Sequence, residues 1–188
     1  VRAMTSSSSP GIALKSEGIS YCASARVPMV YVNVSRGGPG VGSIQPAQMD
    51  YFQATKASGN GGFRMIVLAP ESVQEAADMT YKAFDLADRD QNPVLVLADG
   101  VVGTMMEPVE LPPMKTAEEI SAIMESKKNW ACIGHELDYE NRSWIQPGQW
   151  STEVLQKRNE DAAKLYDLWD KDAEAELYYA EDADFIIA

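Results

Sequence analysis

The stretch "PMVYVNVSRGGPGVG" spans residues 28–42 and places an apolar run directly before a glycine-rich loop. Similar apolar runs occupy residues 63–70 and 92–100, and "VRAMT" at residues 1–5 has the character of a fourth. Their apolar residues do not alternate with polar ones, which is typical of strands buried on both faces of a parallel sheet. The pattern predicts an α/β fold with a mainly parallel sheet.

Helical patterns lie between these predicted strands. Residues 11–25 carry apolar side chains on one side, and apolar residues recur at three- and four-residue steps from residue 72 to residue 87. Ser72 and Glu75 have the spacing of a capping box. Alternating strands and helices form parallel sheets with right-handed crossovers, so we expect helices to flank the sheet.

The character of the chain changes near Met105, where an extended proline-rich segment begins. It is followed by a helix predicted over residues 116–127 and, after an aromatic stretch, by one long amphipathic helix predicted over 151–180. The first residue is a valine and the last segment, "DADFIIA", has the pattern of another strand, so we expect a fragment of a longer protein. The predicted parts are an α/β domain over 1–104, an acidic helical connector over 105–180 and the start of a second domain over 181–188.

Composition excludes several function classes. The 188 residues carry a net charge of −12, with +4 on residues 1–70 and −16 on residues 71–188. An acidic surface of this kind argues against binding to nucleic acid, and the chain has no apolar run long enough to cross a membrane. Its two cysteines, Cys22 and Cys132, are too few for a disulfide framework or an iron–sulfur cluster, which favours a reducing, cytoplasmic setting.

Two loops at predicted strand ends are candidate binding segments. "AMTSSSSPG" (3–11) sets serines before a helix start, where free N–H groups meet ligands at the carboxyl edge of an α/β sheet. "RGGPGVGS" (36–43) lets the backbone approach a ligand, and Arg36 could present its planar guanidinium to a carboxylate. Neither segment has the spacing of a P-loop. A flexible loop and a surface arginine paired with an acid remain the alternatives.

His135 is the only histidine and lies in the acidic connector. One imidazole in such surroundings favours a structural hydrogen bond. Catalysis by a Ser-His-Asp or Cys-His arrangement and a histidine-based metal site are therefore not expected.

Taken together, "RAMTSSSSPGIALKSEGISY", "VNVSRGGPGVG", "QMDYFQATKASGNGGFRMIVLAPESVQEA" and "PVLVLADG" resemble the pyrimidine-binding domain of the alpha subunit of 2-oxoacid:ferredoxin oxidoreductases. The matching segments follow one another in unbroken order from about residue 2 to residue 104. "IGHELDYE" and "LQKRNEDAAKLY" are more loosely similar to the family's connector. The resemblance implies a thiamine-diphosphate site shared with a partner subunit.

The segment "GPGVGSIQPAQMDYFQATK" resembles the branched-chain type of this family, which acts on 2-oxoisovalerate (3-methyl-2-oxobutanoate). The resemblance implies that Arg36 binds the substrate. Gln45 stands where 2-oxoglutarate-type relatives have a threonine that also holds the substrate. The serine loop of the family lies near the coenzyme, which points to Ser7 and Ser8, whereas Ser9 stands where relatives commonly have glycine.

The implied reaction is oxidative decarboxylation of a branched-chain 2-oxoacid to an acyl-coenzyme A, with electrons passed to ferredoxin. The family's coenzyme-activating glutamate lies upstream of Val1, so no residue of this chain is expected to take that role. Mg²⁺ and iron–sulfur clusters are expected on partner subunits (beta and gamma/delta), which also provide access to ferredoxin and coenzyme A. Open alternatives are pyruvate, 2-oxoglutarate or indolepyruvate as the substrate, or a non-catalytic assembly subunit.

Overall fold

The computed structural model describes residues 1–132 and 143–185. Four strands form one sheet in the order β1–β2–β4–β3, and every neighbouring pair is parallel. The predicted α/β class with a mainly parallel sheet is confirmed. The strands are β1 (Met4–Ser7), β2 (Met29–Ser35), β3 (Ile66–Leu68) and β4 (Pro93–Asp99).

Helices cover both faces of this sheet. One hydrophobic cluster joins the sheet to α4, and a second joins its other face to α1, α2 and α3. The helices are α1 (Pro10–Leu14), α2 (Ser16–Ala25), α3 (Tyr51–Lys56), α4 (Val73–Asp90), α5 (Ala117–Ser126) and α6 (Thr152–Asp167), followed by a 3₁₀ turn at Trp169–Asp172.

The interior strand β4 explains why the apolar runs do not alternate. Val94 and Val96 belong to the cluster on the α4 side, and Leu95 belongs to the cluster on the opposite side. All three side chains are about 1% exposed. Successive residues of a strand point to opposite faces, so a strand that is covered on both faces needs apolar residues at almost every position.

The start of α4 carries the predicted cap in a modified form. The Ser72 hydroxyl accepts the backbone N–H of Glu75, as predicted. The Glu75 carboxylate accepts the N–H of Glu71, one residue before the expected partner. Both bonds satisfy backbone donors that the first turn of a helix leaves free.

Several predicted elements differ from those observed. The single helix expected over 11–25 is divided at Lys15, whose Nζ reaches back to the Thr5 hydroxyl at 2.7 Å and to the carbonyl of Ser6. The strand expected over 63–70 keeps only the three residues of β3. β3 lies at the edge of the sheet and pairs only with β4, which limits its length to the paired residues.

The first helix of the connector is tied to the α/β layer by ion pairs. A capping box formed by Thr116 and Glu119 starts α5. Just after α5, Lys127 Nζ lies 2.6 Å from the Asp88 carboxylate of α4, and Arg2 Nε binds the same carboxylate at 2.8 Å. Asp88 therefore joins the start of the chain, α4 and the connector.

The helix predicted over 151–180 is shorter than expected, because α6 ends at Asp167. Trp169 Nε1 donates to the Asp90 carboxylate at 2.9 Å, and Arg89 forms a bidentate pair with Asp172. These tertiary contacts favour the 3₁₀ turn over further α-helix. His135 and the last three residues of the strand expected within 181–188 lie outside the described residues.

No helix among the described residues is long and apolar enough to cross a membrane. Cys22 and Cys132 are free thiols. Cys22 is partly buried beneath the Tyr31 hydroxyl, and Cys132 is exposed.

Candidate functional site

The carboxyl ends of three neighbouring strands bring the candidate residues to one edge of the sheet. Ser7 ends β1 and is paired in register with Asn33 of β2. Ser35, which precedes Arg36, is paired with Asp99 at the end of β4. Parallel strands share their carboxyl edge, which is where open α/β sheets bind their ligands.

The serine run leaves β1 in a tight turn into α1. Ser7 and Ser8 are half-buried, and their hydroxyls make no hydrogen bond to another described residue. A Cβ atom on Gly11 would lie 1.9 Å from Ser7 Oγ, so the Ser7 hydroxyl keeps this position only beside a glycine. Ser7 and Ser8 therefore offer uncommitted hydroxyls at the edge, each able to donate and to accept.

Ser9, the next residue of the run, is 7% exposed and has a φ angle of +30°. This backbone region favours glycine over residues with a side chain. The N–H of Ser9 donates to Asn33 Oδ1 at 2.8 Å, and its hydroxyl lies 2.6 Å from Asp50 Oδ2. Asn33 Nδ2 donates to the same carboxylate oxygen at 2.9 Å, which closes a three-residue ring.

The backbone of Arg36 is hydrogen-bonded to this ring. Its N–H donates to Ser9 Oγ at 2.9 Å. Its guanidinium Nη2 donates to the carbonyl of Val41 at 2.9 Å, inside the loop that follows. Arg36 Nε is buried and has no partner among the described residues, so part of the guanidinium's donor capacity is unused.

The glycine-rich loop folds back on Arg36 as an irregular hairpin. Gly37 N–H donates to the carbonyl of Gln45 at 2.9 Å, and Arg36 pairs with Pro46 in an isolated antiparallel bridge. Ser43 N–H donates to the carbonyl of Gly37 at 2.8 Å. Gln45 is exposed and lies beside the backbone of Arg36 and Gly37.

The end of β4 anchors the far side of the loop. Asp99 Oδ1 accepts the N–H groups of Val101 and Val102, and Asp99 Oδ2 accepts the side-chain amide of Gln48 at 2.8 Å. The hydrogen bonds from Val102 and Gln48, aided by that from Val101, lower the pKa of Asp99 below its ordinary value. Gln48 and Asp99 thus tie the loop to the sheet.

Exposed apolar side chains surround this edge. Five large residues from the loop and α3 are at least 59% exposed, which is more apolar surface than one short loop needs for its own packing. They are Val41, Ile44, Met49, Tyr51 and Phe52.

The structure brings together the four residues singled out from the sequence. Ser7 and Ser8 follow β1, Arg36 follows β2, and Gln45 is hydrogen-bonded beside Arg36 through Gly37. Their binding of coenzyme and substrate stays a prediction.

Two polar residues of this edge were missed. Asn33 interrupts an apolar strand and is fully buried, and Asp50 is one of two acidic residues in the first 70. The sequence signal for Asn33 was a polar residue inside an apolar run that is typical of a strand buried on both faces.

Comparison with known proteins gives a consistent result. A family described as pyruvate flavodoxin/ferredoxin oxidoreductase, thiamine diphosphate-binding, matches residues 1–175. The ketoisovalerate oxidoreductase subunit VorB of Methanothermobacter marburgensis is 56% identical over 111 residues, which cover 59% of this chain and 32% of that protein. The subunit of the same name from Methanothermobacter thermautotrophicus is 48% identical over 140 residues, 74% of this chain and 38% of that protein.

A solved structure shares the fold. The 2-oxoglutarate:ferredoxin oxidoreductase from Magnetococcus marinus, with 2-oxoglutarate, coenzyme A and succinyl-CoA bound, superposes with a TM-score of 0.57 at 28% identity. The match covers 87% of this chain and 33% of the other. The chain thus spans about a third of the length of the relatives it matches.

Proposed function

The chain belongs to the thiamine-diphosphate-binding family of pyruvate flavodoxin/ferredoxin oxidoreductases, and from this premise we propose that it forms one side of a 2-oxoacid site. The reaction of the whole enzyme is oxidative decarboxylation of a branched-chain 2-oxoacid to an acyl-coenzyme A, with electrons passed to ferredoxin. One observation carries the proposal: Arg36 stands at the carboxyl edge of the sheet, after the strand that pairs with the one ending in Ser7, with Nε lacking a partner among the described residues.

The role proposed for Arg36 is to bind the substrate carboxylate. A guanidinium can form two parallel hydrogen bonds to a carboxylate, and such charge-assisted pairs are about twice as strong as neutral ones. In the structure one Nη2 bond goes to the carbonyl of Val41 and Nε has no described partner. Binding would exchange the Val41 contact for the carboxylate and use the free Nε–H.

The substrate class follows from the relatives and from the loop. The two VorB proteins, named ketoisovalerate oxidoreductase subunits, are 48–56% identical to this chain. Two relatives named 2-oxoglutarate synthase subunit KorA, from Methanothermobacter thermautotrophicus and Archaeoglobus fulgidus, are less similar, at 42% and 44% identity. Gln45 is neutral, and its neighbours Val41 and Ile44 are apolar and exposed. A pocket wall of this composition suits a branched aliphatic side chain better than a second carboxylate.

The edge fits one half of thiamine diphosphate. When bound, the coenzyme supplies the electron sink needed for loss of carbon dioxide from a 2-oxoacid. Ser7 and Ser8 have hydroxyls that can pair with the ring nitrogens of its aminopyrimidine. The charged groups nearby are Arg36, Asp50 and Asp99, and two carboxylates would repel a diphosphate. We therefore assign the diphosphate to a partner subunit, and Mg²⁺ and the iron–sulfur clusters to partner subunits as the family resemblance implies.

The same edge of the sheet is where we expect a partner subunit to bind. The beta subunit would close the site over the exposed apolar residues of the loop and α3, and gamma or delta subunits would provide ferredoxin and coenzyme A chemistry. In this assembly residues 1–104 are the pyrimidine-binding domain and residues 105–180 are a connector that leads to a second domain from 181 onward.

The test uses the complete enzyme, purified with its partner subunits. Coenzyme A-dependent reduction of a viologen acceptor is measured with 2-oxoisovalerate, pyruvate, 2-oxoglutarate and indolepyruvate, with and without added thiamine diphosphate. We expect the highest kcat/KM with 2-oxoisovalerate. A preference for 2-oxoglutarate would overturn the substrate assignment, and no activity with any of the four 2-oxoacids would favour the non-catalytic assembly role.

A further inference from the structure

We propose that Ser9 and Asp50 are positioning residues, which hold the backbone of Arg36 so that its guanidinium meets the 2-oxoacid carboxylate. This inference rests on the proposed function of Arg36 and goes beyond it. It assigns a role to two side chains that are remote in sequence from Arg36 and are not themselves expected to touch the substrate.

The direction of the hydrogen bonds defines the connection. A hydroxyl has a single proton, and Ser9 Oγ lies 2.6 Å from Asp50 Oδ2 but 3.3 Å from the carbonyl of Arg36. The shorter, charge-assisted contact takes the proton. Ser9 therefore donates to Asp50 and uses a lone pair to accept the N–H of Arg36 at 2.9 Å.

The conformation of Ser9 points to a role for its hydroxyl. At a φ angle of +30°, glycine would be less strained than serine. A serine in this position brings a hydroxyl that forms the only side-chain bond to the Arg36 N–H among the described residues. The backbone conformation alone therefore gives no reason for a serine at this position.

Asp50 is committed to the same connection. It stands at the position preceding α3, where an aspartate ordinarily accepts an N–H of the first helical turn, yet its side chain makes no such bond. The carboxylate turns instead to Ser9 and to Asn33 Nδ2. Asn33 is fully buried in β2, so the chain of bonds runs from the sheet interior to Arg36.

The consequence is a pre-organised arginine. Arg36 stands between a rigid strand and a loop that contains four glycines within residues 37–42. Without a fixed backbone, its side chain would lose more conformational freedom on binding a carboxylate, and affinity would fall. Loss of the Ser9 hydroxyl should therefore weaken substrate binding without unfolding the domain.

The experiment measures steady-state kinetics and thermal melts of the complete enzyme. The variants are Ser9→Gly, which removes the hydroxyl and relieves the backbone, and Asp50→Ala, with Asp50→Asn retaining an acceptor oxygen. Ser20→Ala is the matched control, because Ser20 is also buried and bonded, to the carbonyl of Glu17 in α2.

Loss of one hydrogen bond predicts a rise in the KM for the 2-oxoacid of about 5-fold in Ser9→Gly and Asp50→Ala. Asp50→Asn should show a smaller rise, and Ser20→Ala none. The melting temperature of Ser9→Gly should stay at or above that of the wild type. In an Arg36→Ala background, Ser9→Gly should change KM by less than about 2-fold, since both act on one interaction.

Three outcomes would contradict the inference, and they can be told apart. If Arg36→Ala raises KM but Ser9→Gly does not, only the positioning role of Ser9 fails. If Arg36→Ala itself leaves KM unchanged, the proposed function of Arg36 fails and the inference fails with it. Equal effects of Ser9→Gly with and without Arg36 would also contradict it.

Discussion

The Cα atom of Gly42 stands so close to Gly37 that a methyl group on Gly42 would lie 1.8 Å from the Gly37 carbonyl oxygen. That carbonyl accepts the N–H of Ser43, and the N–H of Gly37 holds the carbonyl of Gln45. The hairpin beside Arg36 thus depends on the absence of a side chain at position 42.

Gly42→Ala should disrupt the hairpin and lower kcat/KM for the 2-oxoacid. Gly40→Ala is the matched control, because Gly40 and Gly42 both have positive φ angles, +68° and +63°, but a Cβ at Gly40 meets nothing within 4 Å. In both variants, backbone strain lowers the free energy of unfolding by about 1 kcal/mol. Only Gly42→Ala also places its methyl group against the Gly37 carbonyl oxygen. Kinetics of the complete enzyme should therefore separate the two variants, and similar losses would argue against the hairpin's role.

Arg36→Lys should reduce kcat/KM by about 10- to 150-fold, which corresponds to a lost hydrogen bond to a charged group of roughly 1.5–3 kcal/mol. Lysine keeps the charge but lacks the planar fork. Arg158→Lys, on the exposed α6, is the control and should be unaffected. Affinity for thiamine diphosphate should change little, because the role proposed for Arg36 is to bind the substrate rather than the coenzyme. Near-wild-type kinetics in both Arg36→Lys and Arg36→Ala would make Arg36 a surface residue.

Asp88→Ala should destabilise the subunit by about 3 kcal/mol, because it leaves the partly buried Lys127 without its carboxylate and removes one of the two carboxylates that bind Arg2, the other being Asp85. The side chains of Lys127 and Arg2 are 10% and 24% exposed, and both bind the Asp88 carboxylate. Asp78→Ala on the exposed side of the same helix should cost less than about 0.5 kcal/mol. The stabilities of the two variants are compared by urea denaturation. Equal midpoints would contradict a stabilising role for Asp88 and its ion pairs with Arg2 and Lys127.

The lowered pKa of Asp99 predicts a pH-dependent contribution to stability. The folded-state pKa lies below the ordinary value of 3.8, so the folded chain favours the carboxylate more than the unfolded chain does. The contribution is therefore fully present above the unfolded-state pKa and is lost as the pH falls through the folded-state pKa. Melts of Asp99→Ala and wild type should differ most near neutral pH and converge as the pH falls through the folded-state pKa of Asp99. A constant difference would show that the charge is not responsible.

Ferredoxin should dock away from the acidic part of the chain. Residues 71–188 carry a charge of −16, and α6 has no buried residue in the structure. Ferredoxins are typically acidic, so like-charge repulsion should disfavour contact there. Cross-linking of the complete enzyme with ferredoxin, followed by peptide mapping, gives the answer. Cross-links to residues 151–180 would contradict the prediction.

Much of the candidate site could be predicted because strand ends are local features. The apolar run that ends at Ser35 and the glycines that follow it are enough to place Arg36 at a carboxyl edge. The ring of Ser9, Asn33 and Asp50 could not be predicted in the same way. Its members are 17 to 41 residues apart, and only the parallel pairing of β1 with β2 and the return of the loop bring them together.

The sequence alone determined the fold class, because strands covered on both faces must be apolar at almost every position, and residues 93–98 of β4 are. It also determined the Ser72 cap of α4, which depends on residues within one helical turn. Tertiary structure alone decided where α6 ends. The α6 pattern continues past Asp167, but Asp90 and Arg89 of α4 bind Trp169 and Asp172 and draw the chain into a 3₁₀ turn. Contacts between distant segments outweigh a helical propensity of a few tenths of a kcal/mol per residue.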